Sequence, residues 1–461
     1  MERIQAWMDA VGTPLLAGGI LLAGCYFSVG TGFFQLRHLR LWLQRTLGAI
    51  LGSRAVRERR DPHAISQFQA VSTALAGTIG TGNVIGVATA LVAGGPGAVF
   101  WMWVCALLGM MTKFAENLLG NRYRCRGARG EWVGGPMVYI QRGLGCRWLA
   151  KVFCLCCLLA SFGIGNMSQA NSIAGALYAT FQLPPLAAGA GLCLLTGLVV
   201  LGGLGRLAGT AEKLVPFMAV FYTAGGMAVI LLHWRQLPQA VAAIFQGAFG
   251  LQTAAGGMGG YALSRTISCG VSRGIFSNEA GLGSSVIVSS ASDVASPLQQ
   301  GMWGIFEVFV DTILVCTITA LAILCSGALE TGKNGAALSL EAFTRGLGPW
   351  AGGFLAVAVC CFAFSAILGW FYYGQRSVEF LWGGRGMAAY QVLFLAATVV
   401  GCAARLEPVW ALSDLFNGLM AVPNLIALAL LSPQVFRITR AELAKLEEKR
   451  GALGVDKGER F

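Results

Sequence analysis

Long apolar runs alternate along this chain with short connections rich in arginine, proline or glycine. Runs near or above roughly 18 apolar residues are the signature of membrane-crossing helices. The pattern predicts about eleven of them, over residues 14–35, 67–93, 97–120, 148–180, 184–203, 208–233, 260–290, 299–326, 350–381, 387–404 and 408–432. Pro14, Gly94-Gly95-Pro96, Pro184-Pro185, Pro238, Pro297, Pro349 and Pro408 mark many of the ends, as expected of residues that remove a donor or stop a helix. The whole reads as one all-α polytopic bundle, residues 1–436, followed by a charged tail, 437–461.

Two of the runs are not uniformly greasy. The first contains Gly77-Thr-Ile-Gly80-Thr81-Gly82-Asn83-Val-Ile-Gly86, and the second contains Arg273-Gly274-Ile-Phe276-Ser277-Asn278-Glu279-Ala-Gly281-Leu-Gly283. Glycine and small polar residues at such depth predict unwound backbone, which is tolerated only where protein or a water-filled cavity surrounds it. Two broken spans at corresponding places in two halves of a chain point to a binding site between them. Setting aside the first span, 14–35, leaves ten. One broken span opens the first set of five, 67–233, and the other opens the second, 260–432. The two sets begin on opposite sides, the logic of an inverted repeat, although no residue-level repeat relates the halves.

Composition supports the membrane reading. Of 461 residues, 56% are hydrophobic and only 12% charged, with a mean hydropathy of +0.66; soluble domains carry about 25% charge. The net charge of +12 does not indicate nucleic-acid binding, because the basic residues sit between apolar spans rather than on one soluble face. They do set an orientation. Arg37 to Arg60, Arg122 to Lys151, Arg206 and Lys213, Arg376 and Arg385, and the tail from Arg437 to Arg460 fall on one side of an eleven-span chain. Arg3, Arg235, Lys333, Arg345 and Arg405 fall on the other. The amino terminus is expected outside and the carboxyl terminus in the cytoplasm of a cell (plasma or inner) membrane. The loop Ala291–Gln300 is the exception, an inner loop without a basic residue. The start, Met1-Glu-Arg-Ile-Gln, lacks the features of a cleavable signal. Residues Ile438–Arg450 read as a charged amphipathic helix at the headgroups.

Most of the fourteen cysteines lie inside apolar runs, where cysteine behaves as a small hydrophobe. With the three histidines far apart, no zinc spacing or disulfide framework appears. The chemistry therefore rests on the broken spans. Half-helix N-termini offer free N–H groups to a carboxylate. Exposed carbonyls and hydroxyls offer oxygens to a small cation, and glycine admits close approach. Thr81, Asn83, Ser277 and Asn278 add neutral donors and acceptors. Gly163-Ile-Gly165-Asn166-Met-Ser168-Gln169 interrupts another span; Gln169 there either lines the site or bonds between helices. Ser365 and Trp370 fall within span 350–381. Glu279, Glu307 and Asp311 are intramembrane carboxylates and so functional candidates; Glu279 is alternatively a structural partner of Arg273 or another basic residue. Lys113 and Glu116 read as a structural pair.

At this point several motifs resemble the alanine/glycine:cation symporter family. They are Thr73-Ala-Leu-Ala-Gly-Thr-Ile-Gly-Thr-Gly-Asn83, Gly94-Gly-Pro-Gly-Ala-Val-Phe-Trp-Met-Trp103, Thr112-Lys-Phe-Ala-Glu116, Arg273-Gly-Ile-Phe-Ser-Asn-Glu-Ala-Gly-Leu-Gly283 and Leu368-Gly-Trp370, and the match runs from about Gly12 to Phe436. The resemblance implies a LeuT-type 5+5 inverted repeat with one extra N-terminal helix, importing alanine or glycine with Na⁺ by alternating access. It implies that Thr81, Gly82 and Asn83 meet the substrate carboxylate and ion, that Gln169 meets the amino group or a helper network, and that Phe276 and Trp370 close a small apolar pocket beside Ser277. Oxygens for Na⁺ would come from Gly77, Asn83, Ser277 and Ser365.

The chain departs from the family pattern in two places. Ser365-Ala366 stands where Ser-Thr is usual, and Gln375 stands for Glu. Loss of a hydroxyl that helps bind one Na⁺ leaves proton coupling as the alternative expectation, with a channel behind it. A membrane-embedded enzyme is disfavoured, since no nucleophile–base or metal set occurs at depth. No nucleic-acid partner is expected; the expected partners are the small amino acid and the bilayer.

Overall fold

The computed structural model describes residues 13–128, 130–249, 259–404 and 407–452. Apart from a two-stranded antiparallel hairpin pairing Cys125–Arg126 with Trp132–Val133, regular structure among these residues is helical. The long helices are α1 (Thr13–Gly30), the pair α2 (Gln67–Thr78) and α3 (Ile85–Gly94), α4 (Gly97–Tyr123), α5 (Arg147–Phe162), α6 (Ser168–Phe181), α7 (Pro185–Val200) and α8 (Gly203–Leu232). After them come α9 (Gly259–Asn278), the single turn α10 (Val286–Ser289), α11 (Pro297–Val308), α12 (Thr317–Cys325), α13 (Gly335–Leu347), α14 (Ala351–Trp382), α15 (Met387–Ala403) and α16 (Glu407–Ala452).

Six helical stretches are long and apolar enough to cross a membrane, and a seventh if the bent pair α2–α3 counts as one. One of the six, residues 335–403, contains three helices, α13 to α15, so stretches are fewer than helices. The apolar helices α1 and α7 are shorter, and α9, expected within span 260–290, is not among the stretches that qualify, so the expected count of eleven is not confirmed. Three helices of eight or more residues were not foreseen from the hydrophobic pattern: Pro136–Gly143, Leu237–Ala248 and α13. Each is amphipathic and too short to register as a span. The expected tail is also not separate, because α16 continues through span 408–432 to Ala452 despite Pro423 and Pro433. Residues 453–461 of that tail, like Arg3, Arg129 and Arg405, lie outside the described residues.

Four of the expected spans are interrupted, among them 260–290, where α9 ends at Asn278 and only the turn α10 follows. Helix α2 starts on a capping box, Ser66 accepting from Gln69 N–H while Gln69 Oε1 accepts from Ser66 N–H, which satisfies two orphan donors at once. It stops at Ile79, and α3 leaves at 61° to it. Spans 148–180 and 299–326 keep their direction but pass through π-helical turns at Gly163–Met167 and Phe309–Cys316. Such turns insert a residue into the helical ladder and are frequent at functional sites.

The two broken spans are tied together at one end. Ile65, just before α2, takes a parallel bridge with Ser292: Ile65 N–H donates to Ala291 O (3.1 Å) and Asp293 N–H to Ile65 O (2.9 Å). Arg124, after α4, donates to Val294 O at 2.7 Å and also to the Ser292 carbonyl. The loop Ala291–Gln300, itself without a basic residue, thus receives one from its neighbour. Beside it, Asp61 accepts from Arg126 (2.6 Å) and Trp132 (2.9 Å). The Arg126 hydrogen bond, with that from His63 N–H, holds the Asp61 carboxyl down at about 2, so this hairpin clamp stays ionised at physiological pH.

Candidate functional site

The break in α2–α3 is short. Ile79 and Gly80 are extended, Thr81–Asn83 make one 3₁₀ turn, and the helix resumes at Ile85. Asn83 Oδ1 accepts the Gly80 N–H at 3.0 Å, which closes the turn and aims the amide nitrogen of Asn83 outward. That nitrogen donates to Asp311 Oδ1 (2.7 Å) and lies 3.1 Å from both Ser277 Oγ and Asp311 O. Ser277 Oγ in turn donates to Asp311 Oδ2 (2.7 Å), as does Thr312 Oγ1 (2.8 Å). Asn278 Nδ2 reaches Thr312 Oγ1 at 3.3 Å. The two broken spans therefore meet on one buried carboxylate, carried by the π-helical turn of a third span. Asn83, Ser277 and Asp311 are all sealed from solvent.

Asp311 was legible only as an intramembrane acid. The signal that assigns it is three-dimensional: both breaks converge there, and they do so four residues after Glu307, which faces elsewhere. This carboxylate is held by neutral donors, from Asn83, Ser277 and Thr312, and a buried charge without a counter-ion is costly, so an ionised Asp311 calls for a cation beside it.

The other expected residues fall around this centre. Gln169 sits just after the π turn. Its Nε2 donates to Ile164 O (3.1 Å), which points Oε1 at the break, 3.2 Å from the donating Thr81 hydroxyl and 3.5 Å from Thr81 N. Phe276 lies across Gly82: a Cβ at Gly82 would stand 3.3 Å from the ring. Trp370 is buried against Gly165, where any Cβ would overlap its own, and packs edge-on to Tyr373 with ring centroids 5.5 Å apart. Phe276 and Trp370 thus pack on different elements, Phe276 on the break at Gly82 and Trp370 on the π-helical turn at Gly165. Ala366 faces the break too, its methyl 3.6 Å from a Cβ placed on Gly80.

The four oxygens suggested for Na⁺ divide into two groups. Ser277 Oγ belongs to the Asp311 centre, and so does Asn83, but through its amide nitrogen, its Oδ1 being taken by Gly80 N–H. Ser365 lies farther back along α2, its hydroxyl donating to Phe362 O (2.8 Å) and standing 3.4 Å from Ala76 O. Gly77 is beside it, where α2 and α14 touch backbone to backbone: a Cβ on Gly369 would come within 2.7 Å of Gly77 Cα.

With this geometry in hand, comparison with known proteins decides the family. Residues 1–452 match the sodium:alanine symporter family. This chain belongs to that family. Among its relatives, the sodium/alanine symporter AgcS of Methanococcus maripaludis is 40% identical, over 95% of this chain and 96% of its own. The probable sodium/glutamine symporter GlnT of Bacillus subtilis is 39% identical, over 93% and 87%. Among solved structures, a mutant form of the Eremococcus coleocola manganese transporter superposes with a TM-score of 0.52, covering 81% of this chain and 78% of that one at 16% identity; that likeness concerns the fold. The protein is accordingly an all-helical, multi-pass membrane protein of a sodium-coupled amino acid transporter family.

A second buried polar group in this symporter-family chain lies on the other side of α9. Of the basic residues considered as partners of Glu279, Arg273 makes no ion pair with it among the described residues, and Lys113 is the one beside it. Glu279 takes a left-handed backbone (φ 53°), its carboxylate accepts from Ser284, and its carbonyl accepts from Lys113 Nζ (3.3 Å). Lys113 and Glu116 do approach, at 4.0 Å and fully buried. Asn424 Nδ2 bridges Glu116 (2.6 Å) to Gly281 O (2.9 Å), and Glu307 accepts from Asn117, Ser285 and Ser289. These bonds fix the second break to α4, α11 and α16, which makes this cluster the scaffold of the site.

Proposed function

We propose that the protein is a secondary symporter that imports a small neutral amino acid, alanine or glycine, together with Na⁺ by alternating access. The observation that carries this reading is the meeting of Asn83 and Ser277, one from each broken span, on the Asp311 carboxylate. One formal negative charge among neutral donors suits a small cation plus a zwitterion. In this reading Asp311 supplies the charge that holds the cation, with the Ser277 hydroxyl oxygen as a neutral ligand and Asn83 Oδ1 joining it only on turning away from Gly80 N–H. The substrate carboxylate meets the free backbone at Thr81–Gly82, and Gln169 orients that turn. Phe276 across Gly82, and Trp370 beyond Gln169, restrict the side chain to a small one. Ser365 with the Gly77 region forms the second place where Na⁺ takes oxygens.

The architecture proposed is a LeuT-type core of ten spans in two inverted sets, 67–233 and 260–432, preceded by the extra helix 14–35, with the amino terminus outside and the tail cytoplasmic. Contacts among the connections support it. Arg124, Ser292 and Asp293 cluster at one end with Ser296, which donates to Glu442 of α16. At the other end Thr266 donates to Gly94 O, Arg345 to Ser326 O, and Asn171 to Ala404 O.

A second reading, proton coupling, draws on Ala366 and on Ser365, whose single hydroxyl is turned to its own helix. Purified protein in liposomes, loaded so that either a Na⁺ or a pH gradient is imposed, separates the two. Radiolabelled alanine is expected to accumulate with the Na⁺ gradient and to be displaced by glycine but not by leucine or glutamine. Accumulation driven by the pH gradient alone selects the proton, and displacement by glutamine removes the small-pocket assignment.

A further inference from the structure

A cavity of 290 Å³ opens between α1, α9 and α16, outside the Asp311 centre. Ala17 and Ile20 give it an apolar wall, and Ser272, Arg273 and Asn417 give it a polar one. The polar wall is chemically incomplete. Arg273 sits one helical turn before Ser277, half-buried on α9, which the architecture proposed above places within the membrane, where an unpaired cation is costly. Among the described residues no carboxylate pairs with it, and its one contact of note is the Phe276 ring, whose centroid is 5.9 Å from the guanidinium carbon. Asn417 is 7% exposed, and its Oδ1 is buried without a donor. Arg273 on α9 and Asn417 on α16 thus bring to the lining a cation lacking an anion and, just beneath the cavity surface, an amide oxygen lacking an N–H.

Those two needs are met together by a molecule that carries a carboxylate and an ammonium a few ångströms apart. The volume is near the lower end of small-ligand sites, which suits a small amino acid and a few waters. Phe276 lines this cavity and also lies against Gly82, so one ring stands between the cavity and the broken helix. We propose that the cavity is an outer capture site: an incoming amino acid docks with its carboxylate on Arg273 and its ammonium on Asn417 Oδ1, then passes Phe276 to reach Thr81–Asn83. The proposal rests on the amino acid transport reading above, and on α9 entering from outside.

Alanine is a zwitterion without net charge, so a fixed cation acts on it by direct contact with its carboxylate, and added salt weakens that contact. The test uses the full-length protein in phosphatidylcholine nanodiscs, with L-alanine as the probe, measuring association rate at low and high salt, and uptake kinetics in liposomes. Arg273→Ala removes one charge-assisted contact and is expected to weaken capture roughly tenfold and to flatten its salt dependence. The KM should rise by a similar factor while the maximal uptake rate stays unchanged. Arg273→Lys should restore most of the salt dependence, and Asn417→Ala should slow association by a few-fold without altering that dependence. A purely structural role for Arg273 predicts no rescue by lysine, and that result overturns the proposal.

Wild-type association and salt dependence in folded Arg273→Ala and Asn417→Ala overturn it as well. A phospholipid headgroup has the same pair of charges. If mass spectrometry finds a lipid that co-purifies with the wild type but not with Arg273→Ala, and alanine kinetics are unaltered, the cavity is a lipid site and the proposal fails. Wild-type uptake with unaltered variants removes this proposal alone, whereas absence of alanine uptake by the wild type removes the transport reading and this proposal with it.

Discussion

The two breaks solve the same problem, ending a helix inside a membrane, by different means. At the first, no left-handed residue is needed. Gly80 is extended (φ −134°, ψ −157°), a conformation open to any residue, and the turn closes on the Asn83 side chain. What the first break requires is closeness, with Gly82 under Phe276 and Gly77 against α14. At the second, the backbone itself is special. Glu279, Gly281 and Gly283 all have positive φ, 53°, 90° and 76°, and the carboxylates Glu279, Glu116 and Glu307 lie around Lys113. The first break is neutral and faces the candidate site; the second is charged, conformationally demanding and bolted to its neighbours. A glycine-rich segment at depth can therefore be either a contact surface or a structural joint, and dihedral angles tell which.

The largest effect expected from breaking this contrast is at Asp311, where the two breaks meet. Asp311→Asn keeps the shape but removes the charge, and hydrogen bonds to charged groups are worth about 1.5–3 kcal/mol. Uptake should fall by roughly 100-fold while the protein still elutes as a folded species on gel filtration; uptake within a factor of two of wild type would falsify the role of Asp311. The matched control is Glu307→Gln, which belongs to the scaffold. It should lower the melting temperature yet leave the cation dependence of residual uptake as it was.

Next in size is the joint. Gly283→Ala adds left-handed strain of about 1–3 kcal/mol and drives a methyl into the Pro136 ring, so a total destabilisation of about 3 kcal/mol is expected. Gly80→Ala meets nothing closer than 3.5 Å and should cost under about 1 kcal/mol of stability, its effect appearing in uptake. Thermal unfolding of the two variants side by side checks this. Equal losses would erase the distinction between the breaks.

Asn83→Ala is expected to be somewhat milder than Asp311→Asn. It strips one donor from a carboxylate that keeps Ser277 and Thr312, at roughly 1–3 kcal/mol. Uptake should drop about tenfold or more, with a larger change in the Na⁺ dependence than in stability; a Na⁺ titration of uptake reads this directly.

The smallest shift expected is at Ala366, whose methyl faces the first break. Ala366→Ser adds one neutral oxygen, worth about 1 kcal/mol, and should lower the Na⁺ concentration for half-maximal uptake several-fold. Ala366→Thr is bulkier, and overpacking against Gly80 offsets part of the gain. Unchanged Na⁺ dependence in both, with uptake driven by a pH gradient, would turn the assignment to proton coupling.

The hydrophobic pattern by itself determined much of this protein. Membrane solvent forbids unpaired backbone and punishes charge, so runs of apolar residues, their glycine-broken exceptions and the arginine-rich connections are written directly in one dimension. The helices α1 to α16 stand where those runs are, α13 and the long tail excepted, and the motifs around Asn83 and Asn278 were enough to indicate the family. Tertiary structure decided the pairings. Nothing local distinguishes Asp311 from Glu307 four residues earlier; a π-helical turn and the approach of two other spans aim one at the break and leave the other in the Lys113 scaffold. Nothing local says that Lys113 rather than Arg273 lies beside Glu279, or that Ser365 stands apart from Ser277. Arg273 is left facing a cavity with Asn417, a residue far away in the chain. Periodicity records which face of a helix avoids lipid. It does not record which of several buried polar groups will share a hydrogen bond, because that depends on helix rotation and contact fixed only when all the spans have packed.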